Sequence, residues 1–166
     1  RLEAALVACA AESPHAPVLA ALQAIRGIGF LSAVTIVAEA GDLRRFPTAR
    51  QCMAYVGLVP SEYSSGTVRH RGRITKTGNR LIRHVLGQAA HNARYRPNVS
   101  SALRARQSLV PPAVADLDRR AQARLHARYR HLAGRIGVNK AVTAIARELA
   151  GFVWALGQLL ARPVAA

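Results

Sequence analysis

Ile145, Leu149, Phe152, Leu156 and Leu159 recur at spacings of four, three, four and three. Residues so spaced fall on one side of an α-helix, because 3.6 residues make a turn. Residues 138–161 therefore read as one long helix with a broad apolar seam. Such a seam serves the core or a dimer interface, and both readings stand. A buried seam needs other helices against it, and the chain offers them. Residues 1–11 read as the tail of a helix stopped near Pro14, and residues 17–25 as a second helix. Thr48 can cap a helix ending near Val56, with Gly57 as its left-handed stop. Thr77 is the expected cap of a helix over residues 78–95, with Leu81, Ile82, Val85, Leu86 and Ala89 on its apolar face. Residues 116–133 read as another, acidic at its start, with Leu117, Ala121, Leu125 and Leu132 buried and Gly134 and Gly137 breaking it. Pro97 and Pro111 bracket a variable stretch with room for one short helix. No alternating strand pattern competes, so the expected fold is all-α; a short local hairpin within residues 64–74 is compatible with it.

The densest chemistry lies in residues 58–83, LVPSEYSSGTVRHRGRITKTGNRLIR. It reads as a long basic loop running into a helix start. Small residues let backbone come close to a ligand, and a helix start offers free N–H groups to an anion. Arg69, Arg71, Arg73, Lys76, Arg80 and Arg83 add cations. A hydroxyl held among phosphate-binding groups, as at Ser64 and Ser65, suits phosphoryl transfer. The plain alternative is a basic loop that only grips nucleic acid. Arg80, Arg83, His84, His91 and Arg94 fall on one helix side and extend the same charge.

Charge points the same way. The 166 residues carry a net charge of +16, with 24 cationic and only eight acidic side chains. That excess predicts an acidic partner, nucleic acid above all. Only Lys76 and Lys140 are lysines; arginine forks onto phosphate and stacks on bases better. At 51% hydrophobic the chain is no disordered tail and can build one domain with a core. Cys9 and Cys52 sit in apolar helical contexts and read as reduced core residues of a cytosolic protein. The six histidines lack metal-ligand spacing and no CxxC accompanies them, so no metal site is expected. Arg147 and Glu148 interrupt the one candidate membrane span. The first residue is Arg1, so the chain reads as a piece of a longer protein.

The run Leu22, Ile25, Gly27-Ile28-Gly29, Ala33, Ile36 resembles the helix-hairpin-helix motif of DNA-binding proteins. Gly27 and Gly29 permit a tight turn whose N–H groups can face a phosphate. An ordinary helical hairpin with a glycine turn would look similar.

Taken in order, that motif, GDLRRFPTARQCMAYVGLVPSEYSSG, RGRITKTGNRLIRHVL and a late VTAIARELAGFVWAL resemble the C-terminal domain of bacterial insertion-sequence transposases of the IS110 type, including the IS1111 group. The likeness runs from about residue 19 to 156, and residues 46–86 are its specific part. It implies a two-part enzyme. An N-terminal RuvC-like domain would supply a DEDD acidic site with its Mg²⁺. The helical part would supply a serine that becomes linked to DNA during cutting and rejoining. A guide RNA from the element would choose the sites. On this chain the serine is Ser65, next to Gly66, or Ser64. The implied partners are DNA, that RNA, the RuvC-like domain and further copies of the protein, beside the bacterial nucleoid in the cytoplasm. The implied organisation is residues 1–16 as the end of an upstream helix or linker, then one domain over residues 17–162. Its parts are the hairpin at about 17–40, the serine and basic block at 57–95, an insertion at about 97–115 and the last helices over 116–161. The chain departs from the whole enzyme in lacking a DEDD set and any strand-rich half. It should bind nucleic acid and, alone, neither cut nor rejoin it. A non-catalytic binding module, and a structural module assembling through its last helix, are the competing readings.

Overall fold

The computed structural model describes residues 2–65 and 68–161, with side chains described outside residues 63–71. Eight α-helices and one two-stranded antiparallel ribbon are present among them. The order is α1 (Leu2–Glu12), α2 (Ala16–Gln23), α3 (Phe30–Ala40), α4 (Ala49–Tyr55), β1 (Pro60–Ser65), β2 (Val68–Ile74), α5 (Arg80–Ala90), α6 (Ser101–Gln107), α7 (Pro112–Ile136) and α8 (Val138–Leu160). Single 3₁₀ turns cover Leu43–Arg45 and His91–Arg94. The all-α expectation holds, with the ribbon as the one sheet among the described residues.

The seam of α8 is the centre of the core. Ala141, Val142, Ile145, Ala146, Leu149, Ala150, Val153 and Leu156 are all buried on it. α7, α5, α4 and α2 pack against this helix. Phe152 and Leu159 lie at its edge, partly buried. Burying one large aliphatic side chain contributes about 2 kcal/mol, so this helix organises the fold. Arg124 and Arg128 of α7 tie it across to Glu148 of α8, at 2.9 and 3.3 Å.

α3 and α5 run side by side in opposite directions. Beside the first turn of α3, a Cβ on Gly27 would lie 2.9 Å from the Ala89 carbonyl near the end of α5. At its other end, Glu39 Oε2 accepts from Asn79 Nδ2 at 2.5 Å, just before α5 begins. α5 is 11 residues long, so those two ends lie about 16 Å apart at 1.5 Å per residue.

Several details differ from the sequence expectations. The run read as a long loop is mostly ribbon, since β1 already starts at Pro60. Asn79, not Thr77, caps α5, its Oδ1 accepting from the Ile82 N–H at 2.8 Å. Leu81 is exposed, because it turns away from the α3 side. α7 starts at Pro112, which fits a first turn where no N–H is needed, so Asp116 and Asp118 lie a turn inside it. Gly134 continues the helix, and Gly137, at φ +83, ends it. Cys52 is buried, but Cys9 is exposed. The reason is that α1 buries none of its residues, and of its described apolar side chains only Ala10 packs partly against the core. No single helix among the described residues is long and apolar enough to cross a membrane.

Candidate nucleic-acid interface

The ribbon places the serine block at its far end. Ser64 and Ser65 are the last residues of β1, registered opposite Arg69 and Val68 of β2. Glu62 pairs with Arg71 and Tyr63 with His70. The side chains of Ser64, Ser65, Arg69 and Arg71, and the whole of Gly66, lie outside the described residues. A register irregularity sits between Pro60 and Glu62. There Ser61 Oγ donates to the Arg73 carbonyl at 3.0 Å.

The ribbon's base is built in detail. α4 carries a full capping box between Thr48 and Gln51 and ends at Gly57, φ +73, as its sequence indicated. The return strand then ties back onto it: Thr75 N–H donates to Val59 O at 2.9 Å, Lys76 N–H to Gly57 O at 3.1 Å and Asn79 N–H to Tyr55 O at 2.9 Å. Lys76 holds φ +55, the one non-glycine residue with positive φ among those described. Left-handed backbone costs an L-residue about 1–3 kcal/mol, so surrounding bonds must hold it. Gly78, at φ +127, lies so close to the Tyr55 carbonyl that any Cβ would clash with it.

Side chains complete the base. Asn79 both caps α5 and donates to Glu39, whose backbone carbonyl accepts from Tyr55 Oη at 2.8 Å. The Arg45 guanidinium lies 4.7 and 4.6 Å from the Phe46 and Tyr55 ring centres. Arg83 Nη1 donates to Val56 O at 2.7 Å, which commits part of that guanidinium to the fold. Arg73, Lys76 and Arg80 are exposed beside it. Together with the positive end of α5, they make an anion-attracting surface.

Gly27 and Gly29 sit at the other end of the α3–α5 pair. Leu22, Ile25, Ile28, Ala33 and Ile36 are buried beneath them, as their spacing required. Gly27 has φ +88 and is exposed; Gly29 begins α3 and is exposed too. The inner side of this turn is clamped by residues far away in sequence. Buried Asp118 accepts from Arg26 N–H at 2.9 Å and from the Gln107 and Gln122 amides, both at 2.8 Å. Gln107 Nε2 also donates to Ala24 O, and Arg106 Nη1 to Ile28 O. Arg26 Nη1 reaches Arg96 O at 2.8 Å and Gln122 Oε1 at 3.1 Å.

The predicted binding residues thus form two groups, not one. Arg73, Lys76, Arg80 and Arg83 gather at the ribbon's base, while Gly27 and Gly29 lie a helix length away. The exposed arginines of α7, Arg119, Arg120, Arg124, Arg128 and Arg130, are a weaker candidate, since Arg119 pairs with Asp116, and Arg124 and Arg128 share Glu148. Sequence reasoning missed Asp118 and Asn79. Asn79 had a usable signal: asparagine outranks threonine as an N-cap and stands directly before the apolar run. Asp118 had little, because apart from Gln122 four residues on, its partners lie at residues 26 and 107. Among the described residues no three His, Cys, Asp or Glu side chains converge, so these residues do not fit a divalent cation.

Comparison with known proteins adds the family. Residues 19–107 match the model of the transposase IS116/IS110/IS902 family. The chain is 44% identical over 149 residues to a transposase-named protein of Sinorhizobium fredii, y4qE, covering 87% of this chain and 38% of that one. It is 31% identical over 135 residues to the transposase for insertion sequence element IS1111A of Coxiella burnetii, covering 81% of this chain and 31% of the relative. A 43.6 kDa protein of insertion element IS110 from Streptomyces coelicolor is 34% identical over 85 residues, 51% of this chain and 20% of that one. The chain therefore spans about a third of the first two relatives' length.

Proposed function

Because this chain belongs to the transposase IS116/IS110/IS902 family, we propose that it is the nucleic-acid-gripping and nucleophile-bearing part of an enzyme that cuts and rejoins DNA strands. Ser65 is the proposed nucleophile, with Ser64 as the alternative. The observation that carries the reading is the ribbon itself: both serines end a strand registered against a strand rich in arginine, on a rigid base with exposed cations. In the step, the serine oxygen bonds to phosphorus and the bond from phosphorus to a deoxyribose oxygen breaks. The hydroxyl proton passes to a base, and the departing oxygen takes up a proton. Arginines of β2 offset the charge that builds on the five-coordinate phosphorus. Rejoining reverses the exchange with a new deoxyribose hydroxyl.

The glycine turn, in this reading, holds backbone phosphate as helix-hairpin-helix motifs do. The acids and Mg²⁺ belong to a RuvC-like domain outside this chain, and a guide RNA directs the reaction in the bacterial cytoplasm. The test uses the full-length protein, labelled DNA and a denaturing gel. Ser65→Ala should abolish a covalent protein–DNA species and leave binding nearly intact. An adduct lost only in Ser64→Ala moves the role by one residue. An adduct that survives the double variant ends the serine proposal.

A further inference from the structure

Tyr95 is the one large aromatic side chain exposed among the described residues, at 59%. It is held in place, not left dangling. Its N–H donates to Asn92 O at 3.1 Å, closing the 3₁₀ turn His91–Arg94. The Arg94 guanidinium stands 5.6 Å from the ring centre. Arg94 in turn is fixed by its Nε on His91 O and its Nη2 at His91 Nδ1, both 3.2 Å. One residue on, the Arg96 carbonyl receives Arg26 from the glycine turn at 2.8 Å.

The glycine turn is thus tied to residues on both sides of Tyr95: a Cβ on Gly27 would meet Asn92, and Arg26 holds Arg96. Arg26, Asn92 and Tyr95 line one hollow of about 20 Å³. That space suits a single water and is far too small for a nucleobase. A base can meet Tyr95 only by lying on its outer face. Arg94, Arg96 and Arg104 are exposed along the same stretch of chain. No acidic residue occurs between Glu62 and Asp116. Asp116 is paired with Arg119, and Asp118 is buried in the clamp. An aromatic face among unopposed arginines attracts a strand whose bases are free to stack and whose phosphates follow the cations. A duplex offers no such free base face along its length.

We propose that Tyr95 is a stacking platform for an unpaired base of single-stranded DNA, with Arg94, Arg96 and the glycine turn holding the phosphates on either side. DNA is the partner that family membership carries, and strand exchange exposes unpaired DNA. The proposal rests on the reading of this chain as a DNA-handling domain, but on none of the serine chemistry.

The test measures binding of the 166-residue chain to a fluorescent oligothymidylate, a blunt duplex and the matching oligouridylate at one salt concentration. Base stacking on an aromatic side chain predicts about a tenfold or greater loss of single-strand affinity in Tyr95→Ala. Duplex affinity should change by less than about twofold, since the arginines still hold the phosphates. Tyr95→Phe keeps the ring and should bind as the wild type does. A 2-aminopurine base in the strand should be quenched by the wild type and by Tyr95→Phe, and not by Tyr95→Ala. Unchanged single-strand binding by Tyr95→Ala overturns the platform and leaves the DNA-handling reading standing. Equal losses on strand and duplex overturn it as well. Tighter, Tyr95-dependent binding of the RNA overturns the assignment to DNA. A wild-type chain that binds no DNA at all sinks both readings.

Discussion

The two ends of the α3–α5 pair are held in opposite ways. At the ribbon end the bonds are local: Lys76 to Gly57, Asn79 to Tyr55, Arg83 to Val56, with Glu39 the most distant participant. Its geometry is strained, with Lys76 at φ +55 and Gly78 against a carbonyl. At the glycine-turn end the holding groups come from afar. Asp118, Gln122, Gln107 and Arg106 reach back over 78 to 96 residues. The ribbon end can therefore form as one segment folds on itself. The turn end exists only once α6 and α7 have docked. The ribbon end is thus built from near neighbours, and the turn end depends on the whole fold.

The strongest challenge to that contrast is at the cations. Replacing Arg71, Arg73, Lys76 and Arg80 with Ala should weaken DNA binding for all sequences alike. On duplex DNA it should lower the log–log salt slope by about 0.9 for each phosphate that is no longer neutralised. Binding unchanged across several salt concentrations would move the footprint to the turn end. Gly78→Ala comes next. A side chain there meets both the Tyr55 carbonyl and an unfavourable φ of +127. The expected loss is about 3 kcal/mol or more in urea unfolding. Gly29→Ala is its control: nothing lies within 4 Å of the added Cβ, so stability should hold. Equal stability of these two variants would show that the base is not as tightly built as described.

Asp118→Asn should cost about 2 kcal/mol, because an amide cannot replace a carboxylate that accepts three donors. Its signature is local. Hydrogen exchange at the Arg26 amide should speed up while the Ile82 amide keeps its protection; equal loosening at both ends would erase the distinction between them. The smallest effect is in alkali. Burial raises the Cys52 thiol from 9.0 to about 11. The folded chain therefore keeps a proton that the unfolded chain gives up between those values. Stability from this group is intact below pH 9 and is lost as pH rises through 11, by about 1 kcal/mol at pH 10. Cys52→Ala should flatten that part of the stability curve. An identical alkaline slope in both proteins would mean that other groups control it.

Much of this was legible in the residues alone. The seam of α8, the Thr48 cap, the Gly57 stop and the five buried residues under the glycine turn all follow from helical periodicity and cap chemistry, which act within a few residues. The charge of the block at 58–83 and its family likeness were equally plain. Its shape was not: a run of serines, glycines and arginines has no apolar alternation, so nothing local distinguishes a ribbon from a loop. Cys9 and Leu81 carried the same apolar signal as residues buried elsewhere in the chain, yet burial depends on whether another element arrives to cover them. Tertiary structure alone decided that Asp118 would hold Arg26 and that Gly27 would stand against Ala89 and Asn92. It also set the glycine turn and the ribbon a helix length apart. Those relations join residues tens of positions apart, and their energy appears only when helices pack; periodicity and capping, being local, cannot encode them in a form that can be read one segment at a time.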